Sequence, residues 1–141
     1  MGLCTIDLIR IIKLINSHHV KSMCMLGRQN INTTWDIFLP IIDRFKWKIN
    51  EDILSEIRGC NTINTYKFFQ MFGVDEVHAI DYNEIDQADI IFDLNDNLPD
   101  ELSGKFEMVL NGGTSEHVSA RFLPCLRGGG PRSGGGVGKG N

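Results

Sequence analysis

The sequence has little of what marks the common enzyme classes. Its four cysteines, Cys4, Cys24, Cys60 and Cys125, include no CxxC pair, so neither a zinc knuckle nor a redox dithiol is expected. Without a secretory signal, reduced thiols in a cytoplasmic protein are the expectation. There is no HExxH, no GxSxG, no paired-carboxylate hydrolase pattern and no GxGxxG. No uninterrupted apolar run is long enough to cross a bilayer. The opening "MGLCTIDLIRIIKLINSHHV" comes nearest, but Asp7, Arg10 and Lys13 break it at helical spacing and predict an amphipathic helix. Gly2 does not make a myristoylation signal, because Ile6 stands where Ser or Thr belongs. Basic charge is scarce in the main body as well. Residues 119–141 carry four basic side chains and no acid, which leaves residues 1–118 with 10 basic and 18 acidic ones. That body repels phosphate backbones, so neither nucleic acid nor membrane is an expected partner.

What is present is a globular composition. The chain has 141 residues, 42% of them hydrophobic, which suffices for one domain with a core. A helix is expected over 3–19, with His18 and His19 at its end. Adjacent on a helix, their side chains diverge by about 100° and make a poor metal pair. "SMCML" reads as a strand stopped by Gly27, and "GRQNINTT" as a loop. Thr33, followed three residues later by Asp36, resembles a capping box for a helix from Trp35, in which Pro40 is absorbed or makes a kink. "NEDILSEIRG" is a short helix capped by Asn50, and "NTYKFFQMFG" another closed by Gly73. Strand-like "EVHAID", "ADIIFDLN" and "KFEMVLNGG" follow, with His78 in the first of them read as structural. Trp35, Phe38, Trp47, Phe68, Phe69 and Phe72 fall at roughly helical spacings and are expected in the core.

The strands are short continuous apolar runs, as in a parallel sheet covered on both faces. The expected fold is therefore α/β and Rossmann-like, a mostly parallel sheet flanked by helices. Three segments are expected: an N-terminal helix over 1–21, a cofactor-binding unit over 22–118 and a glycine-rich tail over 119–141. Residues 127–141 hold 8 of the 15 glycines, and the tail is expected to be disordered. "GVGKG" within it lacks both the first glycine and the Ser/Thr of a phosphate loop.

Two of the strand candidates end on carboxylates, Asp81 and Asp93. In open parallel sheets ligands bind beyond the carboxyl ends of the strands. An acid there suits the hydroxyls of a ribose, and a second suits the amino group of an adenine. Aspartate also favours turns, so either residue alone is weak evidence. The pair at successive strand ends, with Gly27 upstream, points to a nucleotide cofactor.

"MCMLGRQN" and "FFQMFGVDEVHAIDYNEIDQADIIFDLNDNLPDELSGKFEMVLNGGTSEHV" together resemble the class I S-adenosylmethionine-dependent methyltransferases. The likeness is to a branch with an LGRQ turn and a GGT-x-EHV stretch, and it covers about residues 22–118. It implies S-adenosyl-L-methionine as the small-molecule cofactor, with an acceptor the sequence does not name. Gly27, Arg28 and Gln29 would form the first turn, near the methionine part. Asp81 would take the ribose hydroxyls with Tyr82 beside it, and Asp93 and Leu94 would flank the adenine. Asn111, Gly112 and Gly113 would line the floor, with Glu116 and His117 at the mouth as acid/base candidates. A single Gly27 replaces the usual G-x-G, and Asn111 stands where relatives tend to carry an acid. The likeness stops at Val118, so an incomplete sheet is expected, with self-association through its exposed edge. An NAD-type enzyme or a non-catalytic domain of the same fold are the alternatives.

Overall fold

The computed structural model describes residues 2–82, 84, 88–93, 95–97 and 99–111. It is an α/β fold built on a parallel sheet, consistent with a Rossmann-like architecture that is small and incomplete. The elements run β1 (Gly2–Cys4), α1 (Thr5–His18), β2 (Ser22–Leu26), β3 (Asn30–Asn32), α2 (Trp35–Phe45), α3 (Glu51–Ile57), α4 (Thr65–Met71), β4 (Glu76–Asp81), β5 (Ile90–Ile91) and β6 (Met108–Asn111). The main sheet has the order β5-β4-β2-β6, and every pairing in it is parallel. β2 lies at its centre, matched to β4 from Ser22↔Glu76 to Leu26↔Ile80 and to β6 from Met23↔Met108 to Leu26↔Asn111. Successive strands step outward from β2 to β4 to β5, and β6 then returns to the other side of β2. The order therefore reverses between β2 and β6, the topological switch point where open α/β sheets place ligands.

Alternation along β2 and β4 divides the sheet into two faces. Met23, Met25, Val77 and Ala79 join the larger core with Leu8, Ile11, Ile12 and Ile15 of α1, Phe38 of α2, Leu54 of α3 and Phe68 of α4. Cys24, Leu26 and Ile80 face the other way, against Leu102 and Phe106. All four described helices thus pack on one face, and the turns before β6 cover the other. Both faces of the sheet are thus covered, as its continuous apolar runs led one to expect. Phe38, Phe68, Phe69 and Phe72 are buried as expected, while Trp35 and Trp47 are partly buried at the rim of that cluster.

α1 buries Leu8, Ile11, Ile12 and Ile15, the i, i+3, i+4, i+7 stripe of an amphipathic helix. It starts at Thr5 rather than at residue 3, because Gly2–Cys4 forms a strand. β1 pairs in parallel with β3, and a Cβ at Gly2 would stand 2.0 Å from the Asn32 side-chain nitrogen. The segment expected as loop after Gly27 therefore contains a strand. Asp7 accepts from the Cys4 N–H and thiol, which lowers its carboxyl from the ordinary value. α1 ends through left-handed His19 (φ 51), where the Val20 N–H donates to the Ile15 carbonyl at 3.1 Å. No helix among the described residues is long and apolar enough to cross a membrane.

α2 starts at Trp35, but its cap is Thr34, not Thr33. The Thr33 hydroxyl is instead paired with that of Thr5 at 2.9 Å, which joins the starts of α1 and α2. Pro40 lies inside α2, exposed, and the helix runs on through it without the bond that an N–H there would make to the Asp36 carbonyl. Asn50 caps α3, its side-chain oxygen accepting from the Asp52 and Ile53 N–H groups at 3.0 and 3.2 Å. Thr34 makes no such side-chain bond to α2. Asn50→Ala should therefore lower stability by about 1 kcal/mol, and Thr34→Ala by clearly less. Urea unfolding of the two variants checks the order; equal losses would show that the Asn50 cap carries no more than the Thr34 backbone does.

Candidate functional site

β2 ends at Leu26 and turns at Gly27, whose φ of 72° strains any residue with a Cβ. The Gly27 N–H donates to the Ile80 carbonyl at 2.7 Å, so the turn stays fastened to β4. Gln29 is buried, and its amide donates back to the Gly27 carbonyl at 3.2 Å. The Gln29 carbonyl in turn accepts from the Thr65 hydroxyl at 2.5 Å, and Thr65 is the buried first residue of α4. The single-glycine turn is thus fixed from two sides, by its own glutamine and by α4. Arg28 sits between these anchors, partly buried, with its guanidinium 5.6 Å from the centre of the Tyr66 ring.

Asp81 is the last residue of β4 and is partly exposed. One carboxylate oxygen accepts from the Tyr82 N–H at 2.7 Å. Its backbone carbonyl accepts from Phe92 at 2.8 Å, which ties the strand end to the chain leaving β5. Tyr82 is 73% exposed, an aromatic face open to solvent beside Asp81. Asn111 ends β6 directly opposite Leu26. The structure therefore brings Gly27, Arg28, Gln29, Asp81, Tyr82 and Asn111 to the carboxyl end of three adjacent strands.

Asp93 is placed differently. β5 is only Ile90–Ile91, so Asp93 lies beyond the strand rather than at its end. Its carboxylate accepts from the backbone and side-chain N–H groups of Asn95 at 2.9 and 3.2 Å, and its carbonyl from Asp96 at 2.9 Å. It acts as a turn-forming aspartate in an exposed position. Leu94, Gly112, Gly113, Glu116, His117 and the tail 119–141 lie outside the described residues.

Three residues that the sequence did not single out for the site meet at its flank. Asp89, just before β5, accepts from the Ala79 N–H at 2.6 Å and from the Tyr66 hydroxyl at 3.4 Å. Its other oxygen pairs with His78 Nδ1, and the His78 Nε2 lies 3.9 Å from Glu76. Burial pushes the Tyr66 phenol up to about 12, with the Asp89 charge adding to it. Burial pushes the Cys24 thiol up to about 12 as well, so it is a protonated packing group at neutral pH. The only sequence signal was that Asp89 interrupts an apolar run immediately before "II". Among the described residues no three His, Cys, Asp or Glu side chains cluster as a metal site would require.

Comparison of the chain with protein-family models, with curated proteins and with solved structures found no match.

The Thr65–Gln29 bond gives the turn a direct test. Thr65→Val leaves a buried carbonyl without this donor and should destabilise the chain by about 1–3 kcal/mol. Thr65→Ser keeps the hydroxyl and should recover most of that loss in a denaturant titration. If Ser and Val variants unfold alike, the hydroxyl does not hold the turn.

Proposed function

We propose that the chain binds S-adenosyl-L-methionine across the carboxyl ends of β2, β4 and β6 and serves methyl transfer to an acceptor. The observation that carries this reading is the strand order, which reverses between β2 and β6 and sets the Gly27 turn beside Asp81 and Asn111. The residues present suit such a ligand. Asp81 offers a partly solvated carboxylate at a strand end, with two oxygens of which one accepts from Tyr82. A ribose presents two adjacent hydroxyls to such a group. The fixed Gly27 turn lets backbone approach the ligand closely without first having to be ordered. The resemblance of residues 22–118 to the methyltransferases selects this cofactor among nucleoside-type ligands.

Bound, the cofactor would supply an activated methyl group. The protein's part is to hold the acceptor in line with it, to exclude water and, for some acceptors, to take a proton. Glu116 and His117 are the base candidates, on the resemblance alone. Asp93 is given a lesser share than Asp81, because its carboxylate is already engaged in its own turn.

Asp81→Ala removes charge-assisted hydrogen bonds to the ribose and should weaken S-adenosylmethionine roughly tenfold to a hundredfold in calorimetry. Asp93→Asn should cost less, and His117→Ala should bind as the parent does. Undiminished binding by Asp81→Ala would refute the ribose role. Binding of NAD in place of S-adenosylmethionine by the parent chain would show a different nucleotide enzyme.

A further inference from the structure

A line of contacts runs from β4 to the first turn, and the cofactor reading leaves it without a task. It begins at His78 and the Ala79 N–H on β4, which together fix the Asp89 carboxylate. Asp89 accepts the Tyr66 hydroxyl, and the Tyr66 ring lies beneath the Arg28 guanidinium at 5.6 Å. Arg28 immediately follows Gly27 at the carboxyl end of β2. We propose that Tyr66 is a positioning residue that holds the Arg28 guanidinium at the ligand crevice, there to pair with the carboxylate of the bound cofactor. The proposal rests on the S-adenosylmethionine reading above.

A guanidinium within about 6 Å of a ring centre is attracted by the electron-rich face, so the ring selects among the many rotamers of a long side chain. The ring is itself immobilised: its body joins the larger core, and its hydroxyl is held by a carboxylate that two further groups fix in place. The ring under Arg28 is that of a neutral phenol, which donates a hydrogen bond to Asp89. α4, which carries Tyr66, is anchored to the same turn through Thr65 and Gln29, so ring and guanidinium share one frame. A held guanidinium presents parallel N–H groups that match a carboxylate in two hydrogen bonds. Within a body whose acids outnumber its bases, a fixed cation at the strand ends also offsets the repulsion that an anionic group would meet there.

The test compares two ligands on the full chain. S-adenosylmethionine carries the carboxylate, whereas 5′-methylthioadenosine keeps the nucleoside and sulfur but lacks it. Tyr66→Leu should weaken S-adenosylmethionine roughly threefold to thirtyfold and leave 5′-methylthioadenosine unchanged. Tyr66→Phe keeps the ring and should restore most of the preference. Arg28→Gln should lose the same preference, and adding Tyr66→Leu to it should cost nothing more, because the ring acts only through the guanidinium. Equal weakening of both ligands by Tyr66→Leu would make Tyr66 a merely structural residue and overturn the proposal. So would additive losses in the double variant. If the parent chain binds neither ligand, the cofactor reading falls and this proposal with it; if it binds both and only the variants depart from expectation, this proposal alone falls.

Discussion

The structure depends on β2 being paired in parallel on both sides. Its five residues are matched to β4 along their whole length and to β6 over the last four. Met23, Cys24, Met25 and Leu26 are fully buried, so each carries apolar surface into one core or the other. A strand buried on both faces and bonded on both edges has no freedom at its end. Gly27 therefore leaves the sheet from a fixed point, and its N–H continues the pairing to Ile80 for one residue more. Asp81 and Asn111 are held level with that point by the register alone. Three side-by-side termini follow from one ladder, and a site needs no further device to bring them together.

The helices then complete the turn from one face. α4 reaches it through Thr65, and α3 is tied to α4 by the Lys67–Glu56 ion pair at 3.0 Å. That pair is exposed and contributes little to stability by itself. The packing of Phe68 and Phe69 beneath it contributes far more, since each of these rings is fully buried. On the opposite face, among the described residues, Leu102 and Phe106 shield Cys24, Leu26 and Ile80, with Ile90, Phe92 and Val109 packed alongside. Among the described residues, then, helices cover one face of the sheet and turns the other.

The parts of this arrangement that the sequence made legible are those set by local pattern. The apolar stripe of α1, the Asn50 cap, the Gly73 stop and the runs "SMCML" and "EVHAID" each follow from residues within one turn or one strand. What escaped depends on partners distant in sequence. β1 and β3 are three residues each and pair across 28 positions of sequence, with the Asn32 side chain lying where a Cβ at Gly2 would stand. Thr33 has the right type and spacing for a cap, but its hydroxyl is taken by Thr5 and the cap moves to Thr34. β5 begins only at Ile90, and Asp89 before it meets the Ala79 N–H with a side-chain oxygen. Of the site residues, Gly27 and Asp81 were readable as strand ends. Tyr66 was not, since only the fold brings it under Arg28.

The proposed function requires the carboxyl ends of β2, β4 and β6 to form one cofactor-binding surface. Amide hydrogen exchange of the chain with and without S-adenosylmethionine addresses it directly, because it reads every backbone segment in one experiment. Added protection should concentrate at residues 26–29, 80–82 and 109–111, with little change at the opposite ends of the same strands. Protection confined to other segments, or none at saturating cofactor, would contradict it.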